Sequence, residues 1–264
     1  MDAKQTDCLK VNYENKGEEN DKTNSGDINP LNHMYGISCT GNPIVNSGGY
    51  SKIIKGKEAS FEKAVASHVA KWHGPDQWST FAAIVMSGPR SGEYFMGTTN
   101  HYWKDYADRV TTKAHNDNWK NLVYKHVEDQ SGMMFLTKDS KASYNDRSAP
   151  MSEITWYYAK PGKRGKMVEL LRKGAEAANK ADYDGNYGVY RVVSGGKQNG
   201  ILAIVTRMDS MADMAFTGPS NKEMWVNAYG EEVFNQAVKD WYDSFTKSQS
   251  EILRLIPEMT TPSN

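Results

Sequence analysis

From about residue 50 onwards the chain alternates between short apolar runs and longer stretches whose apolar residues recur every three or four positions. The longer spacing is that of a helix burying one face. It occurs at Phe61, Val65, His68, Val69 and Trp72, and again at Met167, Leu170, Leu171, Gly174 and Ala178. Strands are predicted ahead of each helix, at Tyr50 to Lys55 and at Glu153 to Ala159. After each helix a Gly-containing turn separates two more strands. These are Ile84 to Gly88 with Tyr94 to Gly97, and Arg191 to Gly195 with Ile201 to Thr206. A second helix is expected to open at Trp119 and at Trp225, and each half ends in an apolar run, Met133 to Leu136 and Ile252 to Ile256.

Matched positions keep a nearly constant separation. Gly56 to Gly162 is 106 residues, Gly88 to Gly195 is 107 and Asp105 to Asp213 is 108. A register held through separate features indicates two copies of a unit of roughly a hundred residues, a common domain size. The expected units are residues 50–148 and 149–264. Each reads strand, helix, strand, strand, helix, strand, the ferredoxin-like order. Such a sheet carries both helices on one face and leaves the other to be covered. The expected class is therefore α+β, with two tandem ferredoxin-like units packed sheet to sheet. Residues 1–49, rich in Asn, Asp, Gly and Ser, bury too little apolar surface to offset their ordering entropy and read as a flexible leader.

This element order, with the short segment Trp103 to Ala107 and its weaker counterpart Met211 to Ala215, resembles the dimeric α/β-barrel superfamily. That superfamily includes antibiotic-biosynthesis-monooxygenase-like, NIPSNAP-like and EthD-like domains, and fused relatives that bind haem. The resemblance implies a fused barrel, without choosing among cofactor-free oxygenase, haem enzyme and non-catalytic module. In cofactor-free oxygenases of this fold Asn, Trp, Tyr and Arg side chains bind the substrate enolate, which here points to Arg90, Asn100 and Trp103. In the haem-degrading relatives the ligand is a histidine on the second helix, which here points to His115 or His126.

Acidic and basic residues number 32 each, so no net field favours nucleic acid or an anionic membrane as partner. The remaining expected partner is a small apolar or aromatic molecule, bound by a monomeric pseudo-dimer or a weak homo-oligomer. The two cysteines, Cys8 and Cys39, exclude a disulfide scaffold and leave one bridge open. The first residues lack the apolar core of a secretory signal, which leaves the compartment open.

Apart from His33, all the histidines lie in the first unit: His68, His73, His101, His115 and His126. Any chemistry is therefore expected there, although drift in surface composition accounts for the asymmetry equally well. His68 and Trp72 share one helix face and fit either a packed core or the rim of an apolar cavity. His101 and Trp103 follow a strand end, where cavity mouths form. The expected site has His68 and His101 as proton-transfer groups, with Trp72, Arg90, Asn100, Trp103, His115 and Trp119 around the substrate. No metal site is expected. His68 and His73 are five residues apart, about 140° around a helix, and His115 and His126 would be roughly 16 Å apart along one. No cofactor is expected, with haem the one alternative. The two Gly-rich segments, Ser87 to Gly92 and Ser194 to Gly200, join strand to strand and so read as hairpin loops, not as phosphate cradles.

Overall fold

The computed structural model describes residues 43–74, 77–195, 200–215 and 218–262. Cys8, Cys39, His33 and nearly all of the expected leader lie outside them. The first half contains β1 (Val45–Ile53), α1 (Glu58–Trp72), β2 (Thr80–Val85), β3 (Tyr94–His101), α2 (Trp103–Asp108), α3 (Lys113–Leu122), β4 (Val127–Gln130) and β5 (Met134–Lys138). The second contains β6 (Met151–Ala159), α4 (Arg164–Lys180), β7 (Tyr187–Ser194), β8 (Ile201–Met208), α5 (Asn221–Tyr229), α6 (Glu231–Ser244) and β9 (Phe245–Leu255).

Strand pairing gives the order β2-β3-β1-β5 in the first half and β7-β8-β6-β9 in the second, the same ferredoxin-like order twice. The halves also join edge to edge. β2 pairs with β9 (Ala83 opposite Leu255) and β5 with β7 (Leu136 opposite Val192), which closes eight antiparallel strands into a barrel. Closure leaves no open edge among the eight, and β4 simply extends the pairing of β1 beyond β5. Both faces of the sheet are buried, so neighbouring residues point to different cores. On β2, Ala83 and Val85 face the barrel interior with Phe95, Trp156 and Leu253, whereas Ala82 faces α1 with Phe61, Val65 and Tyr94. On β8, Ile201 and Ala203 point inward and Leu202 outward, against Met167 of α4.

Some boundaries differ from the sequence expectation. β1 begins at Val45, which is fully buried and lies opposite Thr137 and His101, so the ordered fold starts inside the expected leader. Trp119 and Trp225 do not open their helices. The Thr112 side chain accepts from the His115 N–H and starts α3 earlier. Ser220 and Glu223 form a capping box that starts α5. Asp105 and Asp213 both accept backbone N–H groups at the start of a short helical turn, a shared capping role.

A buried polar contact ties the halves together inside the barrel. Glu251 of β9 is fully buried and accepts from Arg90 Nε at 2.6 Å and from the Tyr50 hydroxyl at 2.9 Å. The Arg90 guanidinium lies 3.6 Å from the centre of the Tyr50 ring.

Candidate functional site

Between α1, α3 and the outer face of β1, β2 and β3 lies a cavity of about 630 Å³. In that wall β3 approaches β1 closely at Gly97, where an added Cβ would sit 1.8 Å from the Ser47 carbonyl oxygen, so no side chain fits there. Apolar and aromatic groups make up much of the lining, among them Val65, Met96, Trp119 and Met259, and His68, His73 and His115 converge on one side.

Helix geometry brings these histidines together. His68 sits on the buried stripe of α1 with Phe61, Val65 and Val69. His73 is the residue that ends the helix. Its backbone leaves helical values (φ −136°, ψ 50°) while its N–H still bonds the Val69 carbonyl at 2.8 Å. Gly74-Pro75 follows, a pair that stops a helix. The 140° separation expected from an uninterrupted helix therefore does not apply, and the His73 ring centre lies 5.2 Å from that of His68. His115 comes from the first turn of α3, and its ring centre is 4.8 Å from that of His68. One ring nitrogen of each histidine lies within 4.8 Å of those of the other two. The expectation that these residues cannot meet at one ion is corrected on this point.

Each imidazole is held through Nδ1. That atom lies 2.7 Å from Asn118 Oδ1 in His68, 2.7 Å from the Trp78 carbonyl in His73 and 3.1 Å from Asn116 Oδ1 in His115. Carbonyl oxygens only accept, so these contacts assign the proton to Nδ1 and leave the lone pair on Nε2. Asn116 Nδ2 faces Thr111 Oγ1 at 3.2 Å, which turns the Asn116 oxygen toward His115. The Nε2 atoms of His73 and His115 stand 3.3 Å apart. His68 is 1% exposed, and its buried Nε2 has no partner. Burial holds the His68 pKa down at about 4, against the opposing hydrogen bond to Asn118, and burial lowers that of His73 as well. Both are neutral at pH 7; the Nε2 lone pair of His68 has no partner, and Nε2 of His73 faces that of His115.

Arg109, an exposed residue that lines the cavity, holds its guanidinium 4.3 Å from the centre of the Trp78 ring. No carboxylate lies within ion-pair distance of it among the described residues. It is a cation available to a ligand.

Of the residues expected from sequence, His68, His115 and Trp119 line this cavity. Trp72 packs beside it, 5.5 Å from His115 between ring centres, and lines a shallower groove. His101 stacks on Trp78 at 3.7 Å and does not line the cavity. Asn100 takes a left-handed backbone (φ 62°) at the end of β3, where its N–H bonds Asn46. Trp103 is exposed and packs against Phe135. Arg90 points into the barrel toward Glu251. Sequence reasoning missed His73 and Arg109. The signal for His73 was the Gly-Pro stop after it; nothing local marks Arg109.

No family model matches this sequence, and no curated protein matches it. Solved structures do resemble the chain. The putative monooxygenase of Fusobacterium nucleatum superposes with a TM-score of 0.53 at 12% identity, over 81% of this chain and 93% of that one. An anthrone oxidase-like protein gives 0.52 at 11%, over 81% and 92%. The fold is the dimeric α/β barrel. A variant of chlorite dismutase from Candidatus Nitrospira defluvii gives 0.50 at 8%, over 83% and 95%. At such identities a shared barrel shows architecture alone.

Haem does not fit the site that this barrel offers. Axial ligation needs one imidazole over an open apolar slot. The Nε2 of His115 faces the Nε2 of His73 at 3.3 Å, with His68 beside both, so a porphyrin plane has no approach to it. His126, the other candidate, lies in the turn Tyr124–His126 and does not line the cavity. No described helix is long and apolar enough to cross a membrane.

Proposed function

We propose that the first-half cavity binds a small aromatic or apolar molecule carrying an acidic or enolisable oxygen, and that the chain acts on it as an oxygenase or isomerase of the monooxygenase-like branch of this fold. The observation that carries this reading is a cavity of about 630 Å³ whose apolar lining is interrupted by three convergent imidazoles and an unpaired arginine. A pocket of that volume suits a single drug-sized compound, held by apolar walls and oriented by a few polar groups. Arg109 supplies the charge that an enolate, phenolate or carboxylate requires. With its conjugate acid near pKa 4, His68 is a weak base at neutral pH. Its role is to accept from or position the ligand, and not to carry a proton away. The name of one structural neighbour, an anthrone oxidase-like protein, agrees with an aromatic substrate, and that of another, a putative monooxygenase, with oxygenase chemistry.

A thermal-shift screen of phenols, aromatic acids and their neutral analogues tests the reading, because a ligand selective for the folded state raises its apparent stability. Acidic aromatics are expected to raise Tm, and Trp119→Ala and Arg109→Ala to abolish the rise. Trp103→Ala and His126→Ala, outside the cavity, are expected to keep it. A rise that survives Trp119→Ala and Arg109→Ala, or no response to any compound, returns the chain to the alternative of a non-catalytic interaction module.

A further inference from the structure

We propose that His68, His73 and His115 form a three-imidazole centre for a first-row divalent cation, Zn²⁺ being the best match, with its remaining coordination position open to the cavity. This rests on reading that cavity as the functional site, and adds a metal that the reading does not require.

Three features converge. The first is distance. Two nitrogens bound to one tetrahedral zinc at about 2.0–2.1 Å stand roughly 3.3 Å apart. The Nε2 atoms of His73 and His115 already stand at 3.3 Å. His68 has to close from no more than 4.8 Å, a change within reach of a small side-chain rotation.

The second feature is the outer shell. A metal-binding imidazole almost always donates its far N–H to a carbonyl or carboxylate, which fixes the tautomer and aims the lone pair. All three histidines do this, to Asn118, the Trp78 carbonyl and Asn116. Chance packing of three histidines has no reason to place a carbonyl oxygen on Nδ1 every time.

The third is an unmet need. With Nδ1 protonated in both, His73 and His115 turn two lone pairs toward each other, and His68 Nε2 is buried without a donor. Buried polar atoms are normally satisfied, and an orphan in a native structure calls for an explanation. One cation answers all three atoms at once.

The donor set narrows the metal. Three neutral imidazoles with no thiolate and no carboxylate suit zinc, copper, nickel or iron(II), and not calcium or magnesium. Three protein ligands with a vacant position is the pattern of a site that takes an exogenous group. Since the ligands carry no negative charge, the centre keeps the full charge of the ion. An anionic oxygen of the cavity ligand is the natural fourth donor, with Arg109 the second cation facing it.

The test uses the full-length, untagged chain stripped with a chelator and then titrated with Zn²⁺ or Co²⁺. The expected result is one equivalent bound per chain by calorimetry, and a Co²⁺ visible spectrum of tetrahedral intensity. Mg²⁺ is expected to give neither. His73→Ala and His115→Ala are expected to weaken Zn²⁺ binding at least 100-fold, Asn118→Ala by roughly 10–100-fold, and His126→Ala not at all. Should a histidine variant fail to fold, imidazole ¹⁵N resonances of the wild-type protein give the same answer. Zn²⁺ is expected to shift three histidines and leave the rest in place. Binding no tighter than in His73→Ala, or shifts confined to other histidines, overturns the proposal. The two readings also fail separately. Stripped protein that still responds to acidic aromatics but binds no Zn²⁺ retains the pocket and loses the metal, whereas Zn²⁺ binding with no aromatic response does the reverse.

Discussion

Trp119 in α3 and Trp225 in α5 are 106 residues apart (225 − 119), and each lies against the first long helix of its half, yet their surroundings differ. Beside Trp119 stand His68, its ring centre 4.9 Å away, and the cavity. Beside Trp225 stands Gly174, where an added Cβ would come within 3.6 Å of the indole nitrogen. The same separation carries His68 to Gly174, His73 to Asn179 and His115 to Asn221. The second half fills its layer with Tyr144, Leu170, Met224 and Trp225, and Tyr183, Phe234 and Trp241 pack against that cluster. Its α4 runs on to Lys180, so Asn179 stays helical and bonds the Ala175 carbonyl of its own helix. In the first half the helix stops at Trp72, and the stop turns His73 back toward His68. One strand order thus carries a packed layer in one half and a hollow, polar-lined site in the other, and the early helix end after Trp72 is part of the difference.

The largest expected effect separates the two tryptophans. Trp225 is 6% exposed within a filled cluster, so Trp225→Ala should cost about 3–5 kcal/mol. Trp119 borders space that is already empty, and Trp119→Ala should cost less than half as much while removing ligand response. Denaturant unfolding of the two variants checks the contrast; equal losses would mean that the first-half layer is packed as tightly as the second.

Next comes the ionic cluster that holds the segment joining the halves. Asp146 pairs with Lys138 at 2.6 Å and Arg207 at 3.1 Å, and accepts from the Tyr190 hydroxyl at 2.9 Å. Burial alone would raise the Asp146 pKa, but Arg207 and Lys138 outweigh it and hold it below the usual carboxylate value. With the folded pKa depressed, the pair's contribution is complete above the unfolded value near 3.8 and is lost as pH falls through the folded one. Asp146→Ala should cost about 3 kcal/mol at pH 7, the lower end for a broken buried pair, and should flatten the loss of stability below pH 4. An unchanged acid limb in that variant would refute the assignment.

A smaller effect sets stability against function at His68. Its Nε2 has no partner, so His68→Leu removes an unsatisfied buried atom but strands Asn118 Oδ1. The two should nearly cancel, leaving stability within about 1 kcal/mol of wild type, while ligand or metal response disappears. A much larger loss would mark His68 as a structural residue first.

The fold was legible because it rests on periodicity. The apolar spacing of α1 and α4 and the paired strands either side of a glycine turn specify the repeated order, and closure follows from the need to cover the free sheet face. The site was legible only where it lies on that periodicity. His68 falls on the α1 stripe, and His115 and Trp119 on the second helix of the half. His73 was lost because a helical angle was extended through a residue at which the helix ends. Arg90 was misplaced because its partner Glu251 lies 161 residues away, and no local pattern announces a contact made by barrel closure.

The smallest expected effect bears on whether the second half is already filled. Gly174 lies inside α4 with an ordinary helical backbone, and the nearest side-chain atoms an added methyl would meet belong to Trp225 and Tyr187, at 3.6 Å or more. Glycine in a helix interior costs about 1 kcal/mol relative to alanine. Gly174→Ala should therefore raise stability by about 0.5–1 kcal/mol, measured as a higher denaturation midpoint at unchanged slope. If it destabilises instead, Trp225 already needs that space, and Gly174 is where the second half gives up a side chain at the position the first half fills with His68.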